Sequence, residues 1–177
     1  MLCHTPEASE SFVSMAVRAG HFYDPTDCQG LAHLLEHMLF MGSRHLPKPN
    51  AINGFIEQHG GTINAWTGTE YANYHFSCSG DTIAQTLPAF ADMLRQPLFE
   101  EDALTNEIKN IHSEFEFKKK DDLRRLYQIH KETCNPQHPF AKFSVGNSDT
   151  FSQHECAELK RRLKALHQSY YCAQNMR

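Results

Sequence analysis

Apolar residues recur at Leu31, Leu34, Leu35, Met38 and Leu39, the three-and-four spacing that lays one side of an α-helix on a core. Gly42, then Pro47 and Pro49, stop that helix. A second short helix, carrying Ile52, Phe55 and Ile56, is expected to end at Gly60-Gly61. The period then changes to two. In residues 71–78, Tyr74, Phe76 and Cys78 alternate with Asn73, His75 and Ser77, and with residues 62–67 across Gly68-Thr69-Glu70 they predict a hairpin. Upstream, residues 11–20 mix Phe12, Val13, Met15 and Val17 with small side chains, as in a strand partly covered on both faces, before a turn at Asp24-Pro25 and Gly30.

Helical spacing returns with Ile83, Leu87, Phe90, Ala91 and Leu94, where Pro88 either starts the main helix or kinks it. A long helix is expected over 101–120, continuing or restarting through Leu123, Leu126 and Ile129. After breaks at Asn135-Pro136 and His138-Pro139 come a loop and a last amphipathic helix over 154–170. Strands set apart from clustered helices predict an α+β fold, an antiparallel sheet packed against helices, rather than a doubly wound sheet. No repeat or linker divides residues 1–177, which read as one unit. Two or three strands cannot cover four or five amphipathic helices alone, so the unit reads as incomplete at both ends.

Composition narrows the partners. A formal charge of -4 gives no overall cationic field, so nucleic acid or an acidic membrane surface is a poor first choice of partner. The run Lys118-Lys119-Lys120 is followed by Asp121-Asp122 and reads as a solvated helix face. The 6 cysteines show neither zinc-ribbon nor dense disulfide spacing and read as scattered small apolar residues. No apolar run approaches the roughly 18 residues of a membrane span, and the first residues lack the pattern of a signal peptide.

The candidate chemistry lies in the first helix. Residues three and four apart share a face, so His33, Glu36 and His37 project together while Leu34, Leu35 and Met38 turn to the core. Two imidazoles one turn apart can hold one zinc ion, and Glu36 stands where a carboxylate could take a proton from metal-bound water. In a chain with 12 histidines, a solvated face carrying two of them accounts for these residues equally well. A third ligand is needed. Glu107 and Glu114, two helical turns apart, flank the apolar stripe of Leu104, Ile108, Ile111 and Phe115, although an exposed acid pair fits the same spacing. His112 points about 200° away from Glu114 on a helix, so the two cannot serve one ion. No Pro-Cys-x-x-Cys follows to suggest a deaminase.

At these residues the sequence resembles the inverzincin peptidases, the insulinase family that includes insulysin and pitrilysin, whose zinc motif is His-x-x-Glu-His with a distant glutamate. The likeness runs in order through residues 30–43 (GLAHLLEHMLFMGS), 59–61 (HGG), Asn64-Ala65, Asn106-Glu107, Ser113-Glu114 and 135–147 (NPQHPFAKFSVGN). It implies an insulinase-type, processing-peptidase-like metallohydrolase domain. His33, His37 and Glu114 would hold Zn2+, Glu36 would be the general base, and Glu107 would orient a ligand. Asn64, Ala65 and Trp66 would lie on an edge strand that receives a peptide substrate by β-augmentation, with Phe40 nearby. Family members close two halves around the substrate, so the resemblance implies a C-terminal half or a homologous subunit as partner. The alternative is a noncatalytic half kept for association. Relatives occur in cytosol and periplasm, which leaves the compartment open.

Overall fold

The computed structural model describes residues 1–177. Its sheet has three antiparallel strands in the order β1-β3-β2: β1 (Glu10–Val17), β2 (Ile63–Thr67) and β3 (Ala72–Ser79). The predicted hairpin is β2–β3, registered with Asn64 opposite His75 and Ala65 opposite Tyr74. On the central strand Ala72, Tyr74, Phe76 and Cys78 are all buried, because one face of the pleat carries every second side chain into the helices. β2 is an edge strand. On the opposite edge, Ala16 exchanges backbone hydrogen bonds with Arg177.

The helices are α1 (Leu31–Leu39), α2 (Ala51–Gln58), α3 (Ile83–Arg95), α4 (Glu101–Lys118), α5 (Asp122–Thr133), α6 (Ser148–Phe151) and α7 (Cys156–Tyr170). α1 runs through the middle of the core: Leu31, Leu34, Leu35, Met38 and Leu39 are each at most 1% exposed. Its N-terminus is capped from a distance, the Asp24 carboxylate accepting from the backbone N–H of Gly30 at 2.8 Å and of Ala32 at 2.7 Å. Those are donors a helix cannot satisfy internally. α4 packs across α1 and α7, burying Leu104, Glu107 and Ile111.

Several sequence expectations shift. α3 runs straight through Pro88; the carbonyl this proline leaves without a donor belongs to Ala84, which is exposed and open to water. The long helix ends at Lys118 and restarts at Asp122, where the Asp121 side chain caps the Arg124 N–H at 2.9 Å. The loop expected after residue 139 contains the short α6, held by a reciprocal capping box between Asn147 and Thr150. All 6 cysteines are free, and only Cys28 and Cys78 are buried. α5 leaves Leu123, Leu126 and Ile129 exposed, so its predicted apolar stripe does not enter this core. No helix is long and apolar enough to cross a membrane.

Candidate metal centre

α1 and α4 bring three of the expected residues together. Nε2 of His37 lies 3.4 Å from Oε2 of Glu114, and Nε2 of His33 lies 3.7 Å from the same oxygen. The two imidazole planes meet at 87° with centroids 4.8 Å apart. The ligand atoms of His33, His37 and Glu114 all fall within 4.8 Å of one another. Donors held at the usual zinc distances around a tetrahedral ion stand about 3.4 Å apart, so this donor set fits zinc in both chemistry and spacing.

The outer nitrogens decide which atoms face inward. His33 Nδ1 donates to the Val145 carbonyl at 2.7 Å, and His37 Nδ1 donates to Oε2 of Glu107 at 2.9 Å. Each bond places the proton on Nδ1 and leaves Nε2 directed at Glu114. Glu107 is 5% exposed, and its other oxygen accepts from the Asn110 amide at 2.8 Å. It therefore does not join Glu114 at the ion site but stands behind His37.

Charge in the site follows from burial and these bonds. Burial, helped by the neighbouring His37, lowers the His33 pKa to about 4, so this ring is neutral at neutral pH. Burial pushes His37 the same way, but its bonds to Glu107 and Glu114 outweigh that and raise it to about 9. The His37 bond, opposed by burial and aided by Lys118, lowers Glu114 to about 2. Burial raises Glu36, against the pull of a hydrogen bond from Thr67.

Lys118 corrects the sequence reading. Its ammonium pairs with Oε1 of Glu114 and lines the cleft beside Glu36. The four-residue offset on one helix face was the available signal. Lys119 stays at the surface, paired with Glu116. His112 is half-buried, and its Nδ1 accepts from the Ser148 N–H at 3.4 Å. Thr67, whose hydroxyl donates to Oε2 of Glu36, had no local signal, since the two residues meet only through the packing of β2 on α1.

The cleft of about 570 Å³ is lined by His33, Glu36, His37 and Glu114 together with β2 residues and Phe40. Ser77 donates to Thr62 and Gly68 to Tyr71, so by antiparallel alternation Ala65 turns its N–H and C=O toward the unpaired edge. There the Ala65 N–H is held by its neighbour's side chain, Oδ1 of Asn64, at 2.8 Å. Trp66 is 52% exposed and lies outside the core.

Helices converging two imidazoles and a carboxylate beside an open strand edge, on an antiparallel sheet, define an insulinase-type α+β domain. The family described as Insulinase (Peptidase family M16) matches residues 1–142. Human insulin-degrading enzyme is 35% identical over 179 aligned residues that take in 99% of this chain and 18% of that protein. The A-factor-processing enzyme of Saccharomyces cerevisiae is 33% identical, over 100% of this chain and 18% of its own length. The crystal structure of pitrilysin superposes with a TM-score of 0.90 at 32% identity, covering 97% of this chain and 18% of that one. The chain belongs to the insulinase family, peptidase family M16, and spans about a fifth of the length of these relatives.

Proposed function

We propose that residues 1–177 form the zinc-binding domain of an endopeptidase. His33, His37 and Glu114 hold the ion, Glu36 activates water, Glu107 orients His37, and β2 at Asn64, Ala65 and Trp66 receives the substrate peptide. The observation that carries this reading is the meeting of two Nε2 atoms and one carboxylate oxygen at 3.4 and 3.7 Å.

Bound zinc would supply Lewis acidity, bringing a water's pKa near neutrality and polarising the scissile carbonyl. Glu36 would take a proton from water as the water's oxygen adds to the scissile carbonyl carbon, and return it to the amine as the C–N bond breaks. Thr67 keeps one Glu36 oxygen fixed so that the other faces the cleft. The upward push of burial on Glu36 makes it a better base than an exposed glutamate. The outward N–H and C=O of Ala65 accept the peptide as an added strand once the Asn64 side chain yields, with Phe40 and Trp66 bordering its side chains. Because the relatives are so much longer, a C-terminal half or a homologous subunit would supply the rest of the substrate chamber.

The test is zinc analysis plus cleavage of a quenched peptide, with and without a complementary C-terminal half. The Glu36→Gln protein should keep its zinc and lose at least about a hundredfold in turnover. Full turnover by zinc-loaded Glu36→Gln removes Glu36 from its role. A chain that takes up zinc but cleaves nothing, even with its other half, supports the noncatalytic alternative.

A further inference from the structure

The segment 135–147 enters the site above only through the Val145 carbonyl on His33, and its neighbour Lys131 is an oddity. Lys131 is 0% exposed, yet no carboxylate touches it. Its Nζ donates to Oγ of Ser144 at 2.9 Å, lies 3.4 Å from Nε2 of His21, and sits over the rings of Tyr127 and Phe140 at 5.5 and 5.7 Å. A buried ammonium is costly, and one hydroxyl, one long bond to the His21 ring nitrogen and two aromatic faces offset only part of that cost. What the arrangement accomplishes is to hold Ser144, the residue before the carbonyl that binds His33.

Every part of the following stretch is likewise fastened. The Phe143 N–H donates to Oε1 of Gln29 at 2.6 Å. Gly146 lies so close to Gly30, at the start of α1, that a Cβ on Gly30 would come within 2.4 Å of its Cα. Asn147 is locked in the capping box, and the Ser148 N–H is held by His112. The segment thus bridges both ligand-bearing helices, bonding His33 on α1 through Val145 and His112 on α4 through Ser148. A backbone carbonyl only accepts, so while Val145 stays in place His33 must carry its proton on Nδ1 and offer Nε2.

We infer that residues 143–148 are a positioning strap that selects the metal-facing nitrogen of His33, with Lys131 as its buried anchor. The strap deepens the zinc reading above and rests on it for its purpose, though not for its geometry.

Three variants test it: Lys131→Met, Ser144→Ala, and Ser144→Thr, which keeps the hydroxyl. Long-range proton–nitrogen spectra of the histidine rings in the metal-free protein read the His33 tautomer, chelator competition reads the zinc dissociation constant, and thermal melting checks the fold. Wild type and Ser144→Thr should show the Nδ1–H form alone. Lys131→Met and Ser144→Ala should show a mixture with the Nε2–H form and bind zinc about tenfold more weakly. Folded Lys131→Met and Ser144→Ala proteins with wild-type tautomer and affinity overturn the strap. If Lys131→Met does not fold, Ser144→Ala, which removes a single oxygen, decides alone. Should the wild type take up no zinc, the zinc reading fails, while the tautomer comparison still decides the strap.

Discussion

Oε2 of Glu107 lies 2.9 Å from Nδ1 of His37, and the opposite nitrogen of that ring lies 3.4 Å from Glu114. One imidazole is thus held between two carboxylates that have different tasks. Glu107 is buried and fixed by Asn110, whereas Glu114 opens on the cleft. Glu107→Gln keeps the shape but loses the charge that fixes the ring and raises its basicity. It should weaken zinc binding by about 10- to 100-fold. Competition with a zinc-selective chelator measures this, and unchanged affinity would make Glu107 merely a packing residue.

Zinc uptake should depend on pH through His37. Its folded pKa of about 9 stands above the ordinary 6.5, because the bonds to Glu107 and Glu114 outweigh burial. In the metal-free protein the bound proton therefore contributes stability that is complete below pH 6.5 and is lost as pH rises through about 9. Zinc requires the neutral ring, so apparent affinity should climb by up to about tenfold per pH unit across that window. Calorimetry in buffers of different ionisation enthalpy should register about one proton released per ion at neutral pH. Affinity that stays flat across the window contradicts this.

Thr67 should tune the base. Its hydroxyl donates to the Glu36 carboxylate and favours the ionised form against burial. Thr67→Val removes the donor, so the Glu36 pKa rises and, with Glu36 as the base proposed above, the acid limb of the kcat/KM profile for peptide cleavage moves to higher pH. An acid limb that does not move separates Thr67 from the function of Glu36.

The core should be sensitive where α1 crosses it and indifferent on α5. Leu34 is 0% exposed, so Leu34→Ala should cost about 3 kcal/mol of stability through lost burial and a residual cavity. Leu123 is 77% exposed, and Leu123→Ser should change stability by less than about 0.5 kcal/mol. Urea denaturation of the two proteins gives the comparison, with the shift in midpoint as the readout.

The periodicity of α1 placed Leu31, Leu34, Leu35, Met38 and Leu39 inside and His33, Glu36 and His37 together on the other face, because helical spacing is a local property. The same spacing separated His112 from Glu114, and the structure turns these residues to different neighbours. Local rules misjudged Lys118, whose choice between water and Glu114 depends on what stands opposite the helix. They also passed over α6, four residues long, too short to leave a periodic signal.

The amino-acid order alone determined that two imidazoles and a carboxylate share one helical face, that a hairpin follows, and that two further acids lie two turns apart on a later helix. Each of these depends on residues within a few positions of one another. Helical spacing left Glu107 and Glu114 alike and the family resemblance told them apart; the tertiary structure puts Glu114 beside the histidines and Glu107 behind one of them, and it alone decided that Thr67 holds Glu36 and that Val145 holds the His33 ring. Those relationships span 31 to 112 residues of chain, and the way helices and strands cross fixes them, which no local period encodes.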